Sequence, residues 1–167
     1  MSSTFFNDVE AAKIALSIER NGQKFYNGAA RKARDPNVKR IFKQLASDEK
    51  EHIELFESLH QQLLDRPRRQ GYVDSDEVNA YVQRLVDTQV FADEGTVARL
   101  VDQIDSDIGA LGVGIRAERD ALLFYQEMIN FTDSKAAREA FGKIIEEERR
   151  HLVELGRRSD DCEKLHG

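Results

Sequence analysis

A shift of 99 positions lays the second half of this chain on the first. Glu19-Arg20 then falls on Glu118-Arg119, Phe25-Tyr26 on Phe124-Tyr125, Phe42 on Phe141, Glu49 on Glu148 and His52 on His151. One offset aligns every polar residue that sits on an apolar helical stripe, so the chain reads as two copies of one helical unit packed about a pseudo-twofold axis.

Each unit has the period of a helical hairpin. The first helix is expected from about Thr4 to Arg34, with an inner stripe of Phe5, Ala12, Leu16, Glu19, Tyr26 and Ala30. Asp35-Pro36 stops it, because proline disfavours helix in the residue before it and suits the first turn of the next helix. The second helix follows to about Asp65 on the stripe Phe42, Leu45, Glu49, His52, Phe56, Leu59 and Leu63. A connection over 66–105 has weaker patterning, with short helices expected near 77–86 and 93–104 and a surface suited to a homodimer contact. The second hairpin spans 106–158, its last helix capped by Thr132, Asp133 or Ser134, and residues 159–167 read as a frayed polar tail. The expectation is an all-α, single-domain chain, a four-helix bundle of hairpins 5–65 and 106–158 joined by the long connection.

Composition fits amphipathic helices: 40% hydrophobic and 34% charged residues with two prolines. A net charge of −6 gives no electrostatic reason for a nucleic-acid or anionic-membrane partner. No apolar run reaches the roughly 20 residues that span a bilayer. Cys162 is the only cysteine, which excludes an intrachain disulfide and a four-cysteine metal site. With an N-terminus unlike a signal peptide, a cytoplasmic location is expected.

The chemistry lies where polar residues interrupt the stripes. Glutamate and histidine at i and i+3 share a helix face, so Glu49/His52 and Glu148/His151 each aim two ligand groups at one point. One E-x-x-H is weak evidence, since glutamate-rich helices produce it often. Here both copies stand where leucine is expected, and each is joined through the repeat by a further glutamate, Glu19 or Glu118. Four buried carboxylates repel one another, and ionised glutamate is costly to bury unless paired or metal-bound. A buried salt-bridge network would need matching cations, and the stripes offer none; Arg20 and Arg119 sit about 100° round the helix. Two divalent cations would neutralise the four charges. Tyr26 and Tyr125, two turns beyond Glu19 and Glu118, can hydrogen-bond ligand carboxylates or simply pack as core aromatics. His60 and His166 lie off the repeat and are expected in solvent.

A glutamate on each of two helices with E-x-x-H on each of two others resembles the di-iron carboxylate signature of ferritin-like bundles. The stretches Ile18-Glu19-Arg20 through Phe25-Tyr26 and Asp48-Glu49 through His52 look most like rubrerythrin and its relatives, over roughly 5–65 and 106–156. The resemblance implies terminal ligands Glu19 and Glu118, bridging ligands Glu49 and Glu148, and His52 and His151 completing the two spheres. It implies two iron ions, although these ligands also accept manganese or zinc. Two departures bear on function. Rubrerythrins end in a four-cysteine rubredoxin domain, which one cysteine cannot build, so an external electron-donor protein is expected. They also resemble a seven-ligand site, whereas here the seventh position is Ala121 and its repeat mate is Gly22, small residues expected to leave coordination sites open. The implied activity is reduction of hydrogen peroxide or dioxygen in oxidative-stress defence. The alternatives are an iron-handling ferroxidase without turnover and a metal-stabilised helical interaction module.

Overall fold

The computed structural model describes residues 6–66 and 76–166, and they form six helices and no strand. Four are long: α1 (Asp8–Lys32), α2 (Pro36–Leu64), α5 (Asp107–Phe131) and α6 (Lys135–His166). Two short ones, α3 (Asp76–Asp87) and α4 (Glu94–Asp102), lie in the connection. Thr4 and Phe5, which entered the sequence expectations, fall outside the described residues, as do residues 67–75 of the connection.

Local signals set the helix ends. Asn7 accepts the amide of Glu10 and starts α1. Asp35 accepts the amide of Asn37 at 2.7 Å ahead of Pro36, which opens α2 where its missing N–H is harmless. Asp107 clamps the intervening turn, its carboxylate accepting the amides of Arg34 (3.0 Å) and Asp35 (2.8 Å). Ser106 caps α5 through the amide of Gly109. Ser134 caps α6 through that of Ala137, while Thr132 receives the amide of Ser134 itself.

The hairpins pack α1 on α2 and α5 on α6, and they meet chiefly along α2 with α6 and α1 with α5. This arrangement is consistent with a ferritin-like helical fold. Its core is apolar at both ends and polar in the middle. Phe56, Tyr125, Phe141 and Ile144 fill one apolar part. Phe25, Tyr26, Phe42, Leu45, Leu111 and Leu155 fill the other. On α2 the order is Leu45, then Glu49 and His52, then Phe56; on α6 it is Ile144, then Glu148 and His151, then Leu155. The polar layer is thus sealed by hydrophobic residues on either side.

Two features depart from the sequence expectations. Residues 159–166 continue α6 rather than fraying, because Cys162 follows Leu155 by seven residues, two helical turns, and is buried in the same apolar part. His60 is half-buried rather than solvent-exposed, and its Nε2 makes no hydrogen bond; the side chain of His166 is outside the described residues. The connection is tied to its own bundle. Val82, Phe91 and Val97 are buried, Asn21 Nδ2 donates to the Phe91 carbonyl at 2.9 Å, and Asp120 Oδ2 accepts the Val90 amide at 2.9 Å.

Candidate metal centre

The four long helices bring all six candidate ligands together. Glu19 comes from α1, Glu49 and His52 from α2, Glu118 from α5, and Glu148 and His151 from α6; every one is at most 4% exposed. They form two overlapping sets whose ligand atoms all lie within 4.8 Å of one another: Glu19, Glu49, His52 and Glu148, and Glu49, Glu118, Glu148 and His151. Glu49 and Glu148 belong to both.

Both histidines turn Nδ1 inward. His52 Nδ1 lies 3.1 Å from Glu19 Oε2, 2.9 Å from Glu148 Oε1 and 3.9 Å from Glu49 Oε1. His151 Nδ1 lies 3.6 Å from both Glu118 Oε1 and Glu148 Oε1, and 3.7 Å from Glu49 Oε1. The rings stack with centroids 5.6 Å apart. Each outer nitrogen meets a carboxylate of the other hairpin: His52 Nε2 is 2.5 Å from Glu147 Oε2, and His151 Nε2 is 3.0 Å from Asp48 Oδ2.

The tyrosines also cross between hairpins. Tyr26 Oη donates to Glu118 Oε1 at 2.6 Å, and Tyr125 Oη donates to Glu19 Oε1. Both hydrogen-bond a carboxylate of the cluster, and both rings are buried among core aromatics as well. Close approach of Tyr26 depends on Gly114, where a Cβ would lie 3.3 Å from the Tyr26 ring and from Leu155. Gly114 therefore serves the site.

The electrostatics follow from burying carboxylates and imidazoles together. Burial, with the charges of Glu19 and Glu148 close by, pushes the Glu49 carboxyl well above its usual range. Burial, with Glu118 and Glu19, does the same to Glu148. Burial would raise Glu19 too, but hydrogen bonds from Glu49, His52 and Tyr125 outweigh it and hold Glu19 below its ordinary value. Burial pulls His52 down, yet its bonds to Glu19 and Glu147 win and push it up to about 9. Even so, Glu49 Oε1, Glu118 Oε2, Glu148 Oε1 and His151 Nδ1 are buried without a hydrogen bond. Oxygen and imidazole donors left orphaned around two shared points fit a pair of divalent ions.

Residues 10–157 match the rubrerythrin family. The chain belongs to that family. No curated protein and no solved structure matches it. Within the rubrerythrin framework, the small residue Gly22 has a different part from the one expected. A Cβ at Gly22 would sit 2.7 Å from Glu49 Oε2, so the space beside it holds a carboxylate of the cluster rather than standing open. Ala121, where rubrerythrins resemble a seven-ligand site, is buried at 3% exposure in the apolar part.

Sequence reasoning missed Asp48 and Glu147. The signal was present: both are acidic, both precede an E-x-x-H glutamate, and they are related by the same 99-residue offset. Arg20 and Arg119 are exposed as expected, with Arg20 paired to Glu57 at 3.0 Å on the surface. None of the described helices is long and apolar enough to cross a membrane.

Proposed function

We propose that this rubrerythrin-family protein holds two iron ions in a ferritin-like four-helix bundle and uses them to reduce hydrogen peroxide or dioxygen. The observation that carries this reading is the pair of overlapping four-residue sets sharing Glu49 and Glu148, buried and with orphaned donor atoms. Glu19 and Glu118 would each hold an ion, Glu49 and Glu148 would be shared between the two positions, and His52 and His151 would offer Nδ1 to them. Bound ferrous ions supply the two electrons that, with two protons, turn hydrogen peroxide into two waters. The chain's own contribution is fixed geometry. Tyr26 and Tyr125 hold the Glu118 and Glu19 carboxylates in orientation, the two apolar parts of the core exclude bulk water, and four carboxylates would balance the four positive charges of a ferrous pair. Iron, rather than manganese or zinc, is favoured by family membership.

One cysteine cannot form a rubredoxin-type site within these residues, so the electrons that reset the centre come from an electron donor outside them. A cytoplasmic setting suits such a donor. Anaerobic loading with ferrous iron followed by peroxide tests the reading: absorbance of the ferric centre should rise faster than free ferrous iron oxidises, and an equal rate overturns it. Glu148→Ala should abolish loading; retention of two ions per chain overturns the ligand assignment. The six-ligand set left by Ala121 keeps an iron-handling ferroxidase as the second reading. Storage requires a hollow cage, so a dimer by light scattering favours the redox role.

A further inference from the structure

We infer that Asn21 and Asp120 are positioning residues: through the turn between α3 and α4 they fix how α1 and α5 are rotated and spaced, and so where Glu19 and Glu118 stand relative to each other. The inference rests on the metal reading above and goes beyond it, because neither residue belongs to either set of candidate ligands. The observations are geometric. Asn21 follows Glu19 by two residues on α1, Asp120 follows Glu118 by two on α5, and the 99-residue offset carries one pair onto the other. Both side chains reach the same turn. Asn21 Nδ2 donates to the Phe91 carbonyl at 2.9 Å, and Asp120 Oδ2 accepts the Val90 amide at 2.9 Å. Gln89 adds a third tie, its Nε2 donating to the Asp120 carbonyl at 3.2 Å.

The two copies differ as the turn requires. A carbonyl needs a donor, so the first copy has asparagine; an N–H needs an acceptor, so the second has aspartate. Two residues along a helix are about 200° of rotation, so each tie grips its helix on the side away from its glutamate. Rolling the helix would swing that glutamate out of the cluster, and the tie resists it. α1 and α5 pack mainly on α2 and α6 rather than on each other, so the turn is a bridge between them. Phe91 adds packing to the hydrogen bonds. Its buried ring lies 4.9 Å from that of Phe25, which meets Tyr26 edge-on at 5.6 Å. Tyr26 in turn donates to Glu118 Oε1. The turn therefore backs the hydroxyl that α1 sends to the carboxylate of α5.

Calorimetric titration of the full chain with zinc(II), and amide exchange of Val90 followed by NMR with and without zinc, test this. Wild type should take two ions. Asn21→Leu, which keeps a similar shape but removes the donor, and Asp120→Ala should each weaken binding of the pair roughly 2–30-fold, the range of couplings carried between sites through packed elements. Asp120→Asn keeps an oxygen for the Val90 amide and should recover most of the affinity lost in Asp120→Ala, which separates the tie from the lost charge. Coupling is reciprocal. Zinc should therefore slow exchange of the Val90 amide more than that of the Thr96 amide, which Asp93 holds within the same connection. A tie that served stability alone would show no such difference. Unchanged far-UV circular dichroism of each metal-free variant separates positioning from unfolding, and the exchange measurement uses the unaltered chain, so it decides the question even where a variant fails to fold. If wild type takes two ions and both Asn21→Leu and Asp120→Ala bind them as tightly, or if zinc slows Val90 no more than Thr96, the inference is overturned. A wild type that takes fewer than two ions overturns the metal reading instead.

Discussion

Tyr26 on α1 donates its hydroxyl proton to Glu118 Oε1 on α5 at 2.6 Å, and its repeat mate Tyr125 on α5 makes the same contact with Glu19 on α1. Each hairpin thus holds the terminal carboxylate of the other. Burial raises both phenols well above their ordinary value, with the neighbouring carboxylate charges adding to it, so both remain donors across the accessible pH range. Tyr26→Phe should keep the ring packing against Phe42 and weaken one ion about tenfold or more, as loss of an outer hydrogen bond to a ligand does. Calorimetric titration with manganese(II) checks it; an unchanged affinity would show the hydroxyl to be a passenger.

Gly22→Ala should separate stability from binding. Alanine in a helix interior is favoured over glycine by about 0.5–1 kcal/mol. In the metal-free protein the Glu49 carboxylate, the far end of a flexible side chain, can move from the new Cβ that would meet it at 2.7 Å. With metal bound, the same movement displaces a bridging carboxylate. The expected result is a metal-free melting temperature equal to or above wild type, with fewer than two ions retained per chain. Full retention of both ions overturns the prediction.

Glu148→Leu should stabilise the metal-free protein while abolishing metal binding. Glu148 Oε1 lies 2.9 Å from His52 Nδ1 but lacks hydrogen-bond geometry, and burial beside Glu118 and Glu19 disfavours its charge; an imperfectly satisfied buried polar group costs about 1–3 kcal/mol. Leucine would continue the apolar stripe between Ile144 and Leu155. Urea unfolding in a chelator measures the gain, and a midpoint below wild type would contradict it.

Stability of the metal-free protein should fall as pH rises. Glu49 and Glu148 fold with carboxyls above their ordinary 4.5, and His52 folds at about 9 against an ordinary 6.5. All three take up protons on folding, so the folded state loses ground as they ionise or deprotonate. The His52 contribution is complete below 6.5 and gone above about 9. Glu19, held below 4.5, is already ionised in this window and adds no slope. Divalent ions compete with those same protons, so their stabilisation should grow with pH. Thermal midpoints measured from about pH 6 to 9, with chelator and with manganese(II), should slope in opposite directions. A metal-free midpoint that climbs with pH would overturn the account.

Much of this protein was legible in one dimension. The 99-residue offset, the helical period and the Asp35-Pro36 break are local or self-similar features, and they were enough to place four helices and the six candidate ligands on their inner faces. Periodicity also exposed the anomaly, because a glutamate on a leucine stripe contradicts the cost of burying charge. What only the tertiary structure decided is which hairpin serves which partner. The Tyr26–Glu118, Tyr125–Glu19, His52–Glu147 and His151–Asp48 contacts all cross between the two copies. A repeat states what each copy contains, but it is silent on how one copy meets the other. The same limit explains Gly22 and Cys162: one makes room for a carboxylate of another helix and the other extends α6 into a shared apolar part, and both roles arise from packing between helices rather than from the pattern along one.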